Sequence, residues 1–270
     1  MLRQRVGTAL VLAPLGLFAV LYLKPQQFWW LLAVLFAVAG WEWVRLVDVR
    51  NHWLRLAAAL VVALGVVMGA QFAAQESTMT GVAGVLIWII ASVCLARCDL
   101  RATKGWPGRL FKGLFGLLLL LTGAYALGAL FDQVNGRYWL LLLLLLIWAA
   151  DIGAYIAGRT MGRHKLAPRV SPGKTWEGVL GGLSLATVVA LIAGNWMTLQ
   201  AGQLWWLLAA SLVTVAISVV GDLFISLMKR QAGLKDAGRI FPGHGGVLDR
   251  FDSLIAAAPV FLLCKHLLGQ

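Results

Sequence analysis

The sequence predicts an all-α, polytopic integral membrane protein with about nine transmembrane helices, and three observations predict it. Of 270 residues, 61% are hydrophobic, and the mean hydropathy is +0.84. Charged residues make up 13%, against about 25% in an ordinary soluble domain. The apolar residues come in runs of about twenty, the length a helix needs to cross the hydrocarbon core. The same figures exclude intrinsic disorder, collagen and a disulfide-stapled secreted fold.

The runs lie near 6–23, 28–47, 56–74, 81–96, 113–131, 138–157, 178–199, 204–227 and 247–268. The first has the look of a signal peptide, with Arg3 and Arg5 ahead of Val6 onward. It lacks a small-x-small cleavage site before Lys24-Pro25 and is therefore kept as a span. Trp29, Trp30, Trp139, Trp205 and Trp206 stand at run ends, where interfacial anchors belong. No internal repeat is evident, and the loops are too short for a soluble domain. Cys94, Cys98 and Cys264 match neither a disulfide framework nor a zinc signature, and read as packing residues.

The net charge of +12 would suggest nucleic acid in a soluble protein. Here it follows from topology, because basic residues collect in cytoplasmic loops, and no nucleic-acid partner is expected. Assigned loop by loop, twenty Lys and Arg residues fall on one side, and only Lys24, Arg137 and Lys265 on the other. That asymmetry predicts a cytoplasmic N-terminus and an external C-terminus. The basic loop 97–112 reads first as a topology determinant, with attraction of anionic lipid as its functional alternative.

Asp151, Asp222, Asp249 and Asp252 lie in or beside apolar runs, where ionisable groups are expensive and suggest function. With this topology all four fall toward the cytoplasmic ends of their helices, level with the basic stretches 158–177 and 228–246. Asp222, Ser226 and Lys229 share a helix face by their i, i+4, i+7 spacing. Asp249 and Asp252 do so at i, i+3, at the start of the ninth run. Gly243, Gly245 and Gly246 allow tight turns near a phosphate, and a helix N-terminus there would favour an anion. Carboxylates ringed by cations at the inner leaflet suggest a site for a metal ion and phosphate. Mg²⁺ uses one or two protein carboxylates and leaves its other positions to substrate and water.

Residues 226–252, SLMKRQAGLKDAGRIFPGHGGVLDRFD, resemble the signature of the phosphatidate cytidylyltransferases, or CDP-diacylglycerol synthases. That pattern reads S-x-x-K-R, four residues, K-D, a short gap, then H-G-G-x-x-D-R-x-D. A second stretch is also similar: Asp151, Ala154-Tyr155, Gly158-Arg159 and Ser171-Pro172-Gly173-Lys174-Thr175-Trp176-Glu177-Gly178. The likeness is detailed over roughly 151–253, whereas the N-terminal half matches only as hydrophobic spans. It implies transfer of CMP from CTP to phosphatidate, in a bacterial inner membrane with the site facing the cytoplasm. Residues 133–270 would then form the catalytic region, and 1–132 a scaffold with lipid access.

The implied roles place Mg²⁺ on Asp222 and Asp249, with Asp252 in or just behind that shell and a second cation left open. Lys229, Arg230, Ser226 and His244 would act at the reacting phosphates. Ser171, Lys174, Lys235, Asp151, Gly245, Gly246 and Arg250 would bind substrate. Plainer readings stand beside these. Asp222 and Asp249 could be structural ion pairs with Lys229 or Arg250, and Asp151 a loop lock with Arg159 or Lys174. His244 could be a solvated loop residue, Arg250 could snorkel to headgroups, and Glu42 would pair with Arg45 at i+3. His52, His164 and His266 read as unpaired. Gly65–Gly69 and Gly178–Gly182 suit helix packing, with a homodimer seam left open. An ion-coupled transporter is the rival from another class, and another membrane phospholipid transferase the rival among enzymes. The first would show repeats or broken helices at the midplane, and neither is visible.

Overall fold

The structure is a computed structural model that describes residues 2–49, 51–97, 108–241 and 245–267. Within them the chain forms nine helices and one small hairpin. The helices are α1 (Leu2–Tyr22), α2 (Pro25–Leu46), α3 (His52–Gln75), α4 (Ser77–Arg97), α5 (Arg109–Asp132), α6 (Gly136–Thr160), α7 (Trp176–Trp196), α8 (Ala201–Gln231) and α9 (Leu248–Leu267). All-α polytopic architecture is what the hydropathy pattern demands, because only closed backbone hydrogen bonding survives in lipid.

Seven of the helices, α2 to α8, are long and apolar enough to cross a membrane. Of the other two, only α9 is set apart by its charges. α1 contributes a shorter apolar segment, Ala13–Tyr22. α9 carries Asp249, Arg250 and Asp252 in its first turns, Lys265 in its last, and Pro259 between them. It tolerates these groups because α4, α5 and α8 surround it, so that Ala256, Ala257, Ala258 and Leu262 are fully buried. A helix hidden by its neighbours need not present an apolar surface to lipid.

The helix ends sort into two sets. At one end Arg45 donates to Ala237 O (3.2 Å), Lys112 to Gln231 Oε1 (3.1 Å) and Arg230 to Val170 O (3.3 Å). At the other, Arg137 donates to Leu21 O and Leu23 O, Trp29 to Asp132, and Lys265 to Gln133. Among the described residues, these contacts follow the division of charge along the sequence. α8, at 31 residues, is about 46 Å long at 1.5 Å per residue, so it outruns a hydrocarbon core of about 30 Å. Lys229 and Arg230 stand in its last turn, at the basic end.

Several sequence expectations need correction. Trp29 and Trp139 are buried rather than interfacial, Trp29 because its indole N–H bonds Asp132 Oδ2 at 2.7 Å and Trp139 because it lies against Phe261 and Lys265. Trp30, Trp205 and Trp206 are exposed, as anchors are. The glycine pairs serve packing inside the chain: Gly65 and Gly69 abut Leu121 and Tyr125 of α5, and Gly178 and Gly182 abut the α6 backbone. The segment between α6 and α7 is not a plain loop. Residues Lys165–Ala167 (β1) and Ser171–Thr175 (β2) pair antiparallel, Lys165 opposite Thr175 and Ala167 opposite Ser171. Cys94 and Cys264 are half-buried, and Cys98 lies outside the described residues.

Candidate active site

The hairpin is fixed at its base. Thr175, the N-cap of α7, accepts from Gly178 N through Oγ1 at 3.1 Å. Glu177 accepts from His164 N at 3.2 Å and contacts His164 Nδ1 at 2.6 Å, while Trp176 N donates to His164 O at 2.9 Å. His164 is thus partnered, as is His266, whose Nε2 lies 2.6 Å from Ser77 Oγ at the opposite end. With its base held, the hairpin delivers Lys174 to α8, where Nζ stands 2.7 Å from Asp222 Oδ2. Ser226 Oγ, one turn on, donates to Asp222 Oδ1 at 3.2 Å. Two segments about fifty residues apart thereby meet in one place.

A second centre lies one helical turn further along α8. Lys229 Nζ donates to Asp249 Oδ1 at 2.8 Å, and both side chains are buried. Asp249 Oδ2 accepts from Ala237 N (2.8 Å) and Gly246 N (2.9 Å). The loop between α8 and α9 is therefore gathered around one carboxylate. Gly245 sits at φ +80°, and a Cβ there would meet Asp249 Oδ2. Glycine is required both for the backbone and for the close approach.

Asp252 is buried beside these groups and accepts from Ser253 N at 2.8 Å. It lies within electrostatic reach of Asp222, Lys229 and Lys174. Asp151 is likewise close to Asp222, Lys174 and Arg250. Asp151 and Lys174 line a cavity of about 220 Å³ whose wall includes Ser218 and Ser253. Asp151, Lys174, Asp222, Ser226, Lys229, Asp249 and Asp252 thus form one neighbourhood at the basic end. Asp222 and Asp249 do form ion pairs, but the Asp222 partner is Lys174 of the hairpin rather than a residue of its own helix.

Other expected site residues are placed differently. Arg230 is exposed and turned toward backbone carbonyls, Val170 O in the hairpin and Leu234 O, so it ties hairpin to loop. Lys235 and Arg250 are exposed, and Ser171 is half-buried in β2. His244, with Pro242 and Gly243, lies outside the described residues. Arg159 donates to Tyr155 OH rather than to Asp151. The start of α9 is not an open anion site. Its N–H groups at Val247 and Leu248 donate to Glu42 at 3.2 and 2.8 Å, and that of Gly246 donates to Asp249. Glu42 is thereby corrected from a partner of Arg45 to a cap on a helix some two hundred residues away. Its signal was a carboxylate inside an apolar run, which the nearer Arg45 explained away.

The donor set suits a hard cation. Asp222 and Asp249 supply carboxylate oxygens that already sit against ammonium groups, so positive charge is what each accommodates. Among the described residues no cluster of three His, Cys, Asp or Glu could hold a metal by itself. Two carboxylates would be enough for Mg²⁺, which takes one or two and completes its shell from phosphate and water.

Paired carboxylates and lysines thus meet at the basic end of a bundle of membrane-length helices. The chain belongs to the cytidylyltransferase family, whose sequence profile matches residues 3–268. The phosphatidate cytidylyltransferase of Pseudomonas aeruginosa is 39% identical over 261 residues, covering 97% of this chain and 96% of that protein. That of Haemophilus influenzae is 34% identical over 282 residues, covering 97% of each. That of Brucella suis is 40% identical over 166 residues, covering 60% of this chain and 58% of that protein.

Proposed function

We propose that this enzyme transfers CMP from CTP to phosphatidate, forming CDP-diacylglycerol and pyrophosphate at the cytoplasmic face of a bacterial inner membrane. The observation that carries the reading is the meeting of Lys174 with Asp222 at 2.7 Å. It brings Lys174, from one stretch that resembles the family's signature, to a carboxylate that Ser226, at the start of the other stretch, also contacts, in one site of mixed charge at the basic end of the bundle. Both substrates are anionic, one cytosolic and one held in the bilayer, so Lys174 and Lys229 at that level, with a cation on the carboxylates, suit both.

The phosphatidate phosphate attacks the α-phosphorus of CTP. A new P–O bond forms there, and the bond to the β-phosphate oxygen breaks with release of pyrophosphate. The attacking phosphate is already ionised and needs no general base, so catalysis rests on positioning and charge neutralisation. Mg²⁺, held by Asp222 and Asp249 with Asp252 beside them, would neutralise charge on the triphosphate. Lys174 and Lys229, which otherwise hold those two carboxylates, then neutralise phosphate oxygens. Ser226 donates a hydrogen bond, and Asp151 lines the neighbouring cavity and keeps Lys174 in place.

The test is to supply purified protein in phosphatidate vesicles with CTP and MgCl₂ and look for a cytidine-containing lipid. Vesicles in which diacylglycerol or phosphatidylglycerol replaces phosphatidate should give none. Ion flux without such a lipid would favour the transporter reading instead.

A further inference from the structure

Glu42 lies near the basic end of α2, in the half of the chain outside the family signature, and its side chain is almost wholly buried. Its carboxylate reaches the first turn of α9, where Oε1 accepts from Val247 N at 3.2 Å and Oε2 from Leu248 N at 2.8 Å. A Cβ on Gly246 would strike that carboxylate first, and so would one on Gly238. Arg45, one turn on, donates to Ala237 O at 3.2 Å, while the N–H of Ala237 goes to Asp249. α2 therefore grips the segment 237–248 at both ends, and Asp249 ties the same two ends to each other through Ala237 N and Gly246 N.

We infer that Glu42 is a positioning residue for the enzyme: by capping α9 and filling the space behind Gly246, it sets the placement of Asp249 and Lys229. The physical basis is a charge-assisted cap. A carboxylate at a helix N-terminus meets both unpaired N–H groups and the positive end of the helix dipole. Bonds of this kind to a charged acceptor are stronger than neutral ones, and burial raises the penalty of losing them. Glu42 touches no reacting atom. It acts through the loop, and in that respect the inference rests on the transferase reading above.

The test uses the full-length protein with Glu42→Ala, Glu42→Gln, Gly246→Ala and the Glu42→Ala/Gly246→Ala pair. Hydrogen exchange of peptides spanning 237–250 reads the loop directly, and CDP-diacylglycerol formation reads its consequence. Glu42→Ala should speed exchange in 237–250 while leaving α6 and α7 unchanged. It should also lower kcat by about 10–100-fold, the loss typical of removing a group behind a catalytic shell. KM for phosphatidate should change little. Glu42→Gln, which keeps one acceptor oxygen for Leu248 N, should fall between alanine and wild type. Gly246→Ala should be impaired alone yet add nothing to Glu42→Ala, because the clashing carboxylate has gone. Unchanged exchange with wild-type kcat in Glu42→Ala would overturn the inference, and so would strictly additive effects in the double variant. If wild type forms no CDP-diacylglycerol, the transferase reading fails, while exchange in 237–250 still decides whether Glu42 positions the loop.

Discussion

Asp222 and Asp249 are both carboxylates facing a lysine, yet the structure predicts that removing their charges has different consequences. The Asp249–Lys229 side chains are 4% and 11% exposed, whereas those of Asp222–Lys174 are 31% and 26% exposed. Asp249→Asn leaves a buried ammonium without its counter-charge, and it points an amide N–H₂ either at Lys229 or at the N–H groups of Ala237 and Gly246. Breaking a buried pair from one side costs about 3–5 kcal/mol, and the oxygen that asparagine retains places this case near the lower end. Asp222→Asn opens a pair that solvent already screens, worth about 0–1 kcal/mol. At about 2–4 °C per kcal/mol for a chain of this size, the melting temperature should fall by roughly 10 °C for Asp249→Asn and by less than about 4 °C for Asp222→Asn. Turnover should fall at least about 100-fold in both, because each removes charge from the site where phosphate charge develops. Thermal unfolding in detergent and CDP-diacylglycerol formation, measured on the same preparations, give both numbers. Equal melting shifts would refute the burial argument, and wild-type turnover in Asp222→Asn would refute its place in the site.

Orientation has a direct test: a cysteine at Gln203 should react with a membrane-impermeant thiol reagent outside intact cells, and one at Leu234 should not. The reverse pattern would move the site to the external face. Lys229→Ala and Lys174→Ala should reduce turnover far more than Arg109→Ala, whose guanidinium meets Asp48 at an exposed helix start. Comparable small losses at all three would reduce the cations to a topological role. Gly245→Ala and Gly233→Ala both force a Cβ onto backbone with positive φ, at about 1–3 kcal/mol each. Only the first also meets Asp249, so Gly245→Ala should lose turnover while Gly233→Ala keeps it; matching kinetics would dismiss the steric contact.

The sequence made the bundle legible because lipid imposes a long, uniform apolar period that no local detail obscures. The division of basic residues also carried over among the described residues, since Arg45, Lys112 and Arg230 meet partners at one end and Arg137 and Lys265 at the other. Asp222, Ser226 and Lys229 were legible as a group because helical spacing alone puts them on one face. The β1–β2 hairpin was not, because its strands are short and β2 contains Pro172 and Gly173, which argue against a strand. Nor was the partner of Asp222, because Lys174 reaches it only once the hairpin folds back. Glu42 shows the limit most clearly. Its isolation in an apolar run marked it as unusual, but local spacing offered Arg45 and said nothing of α9. Trp29 and Trp139 failed for a related reason: position at a run end is shared by anchors and by buried indoles, and only tertiary neighbours separate them.

The central claim is that this site joins the α-phosphate of CTP to a lipid phosphate. The most direct measurement follows two labels through one turnover, with protein in phosphatidate vesicles and CTP labelled at either the α- or the γ-phosphorus. The α-label should pass into the lipid extract while the γ-label leaves as pyrophosphate, in equal amounts and only with a divalent cation present. Passage of the γ-label into lipid, or water-soluble label from both positions with no labelled lipid, would contradict it.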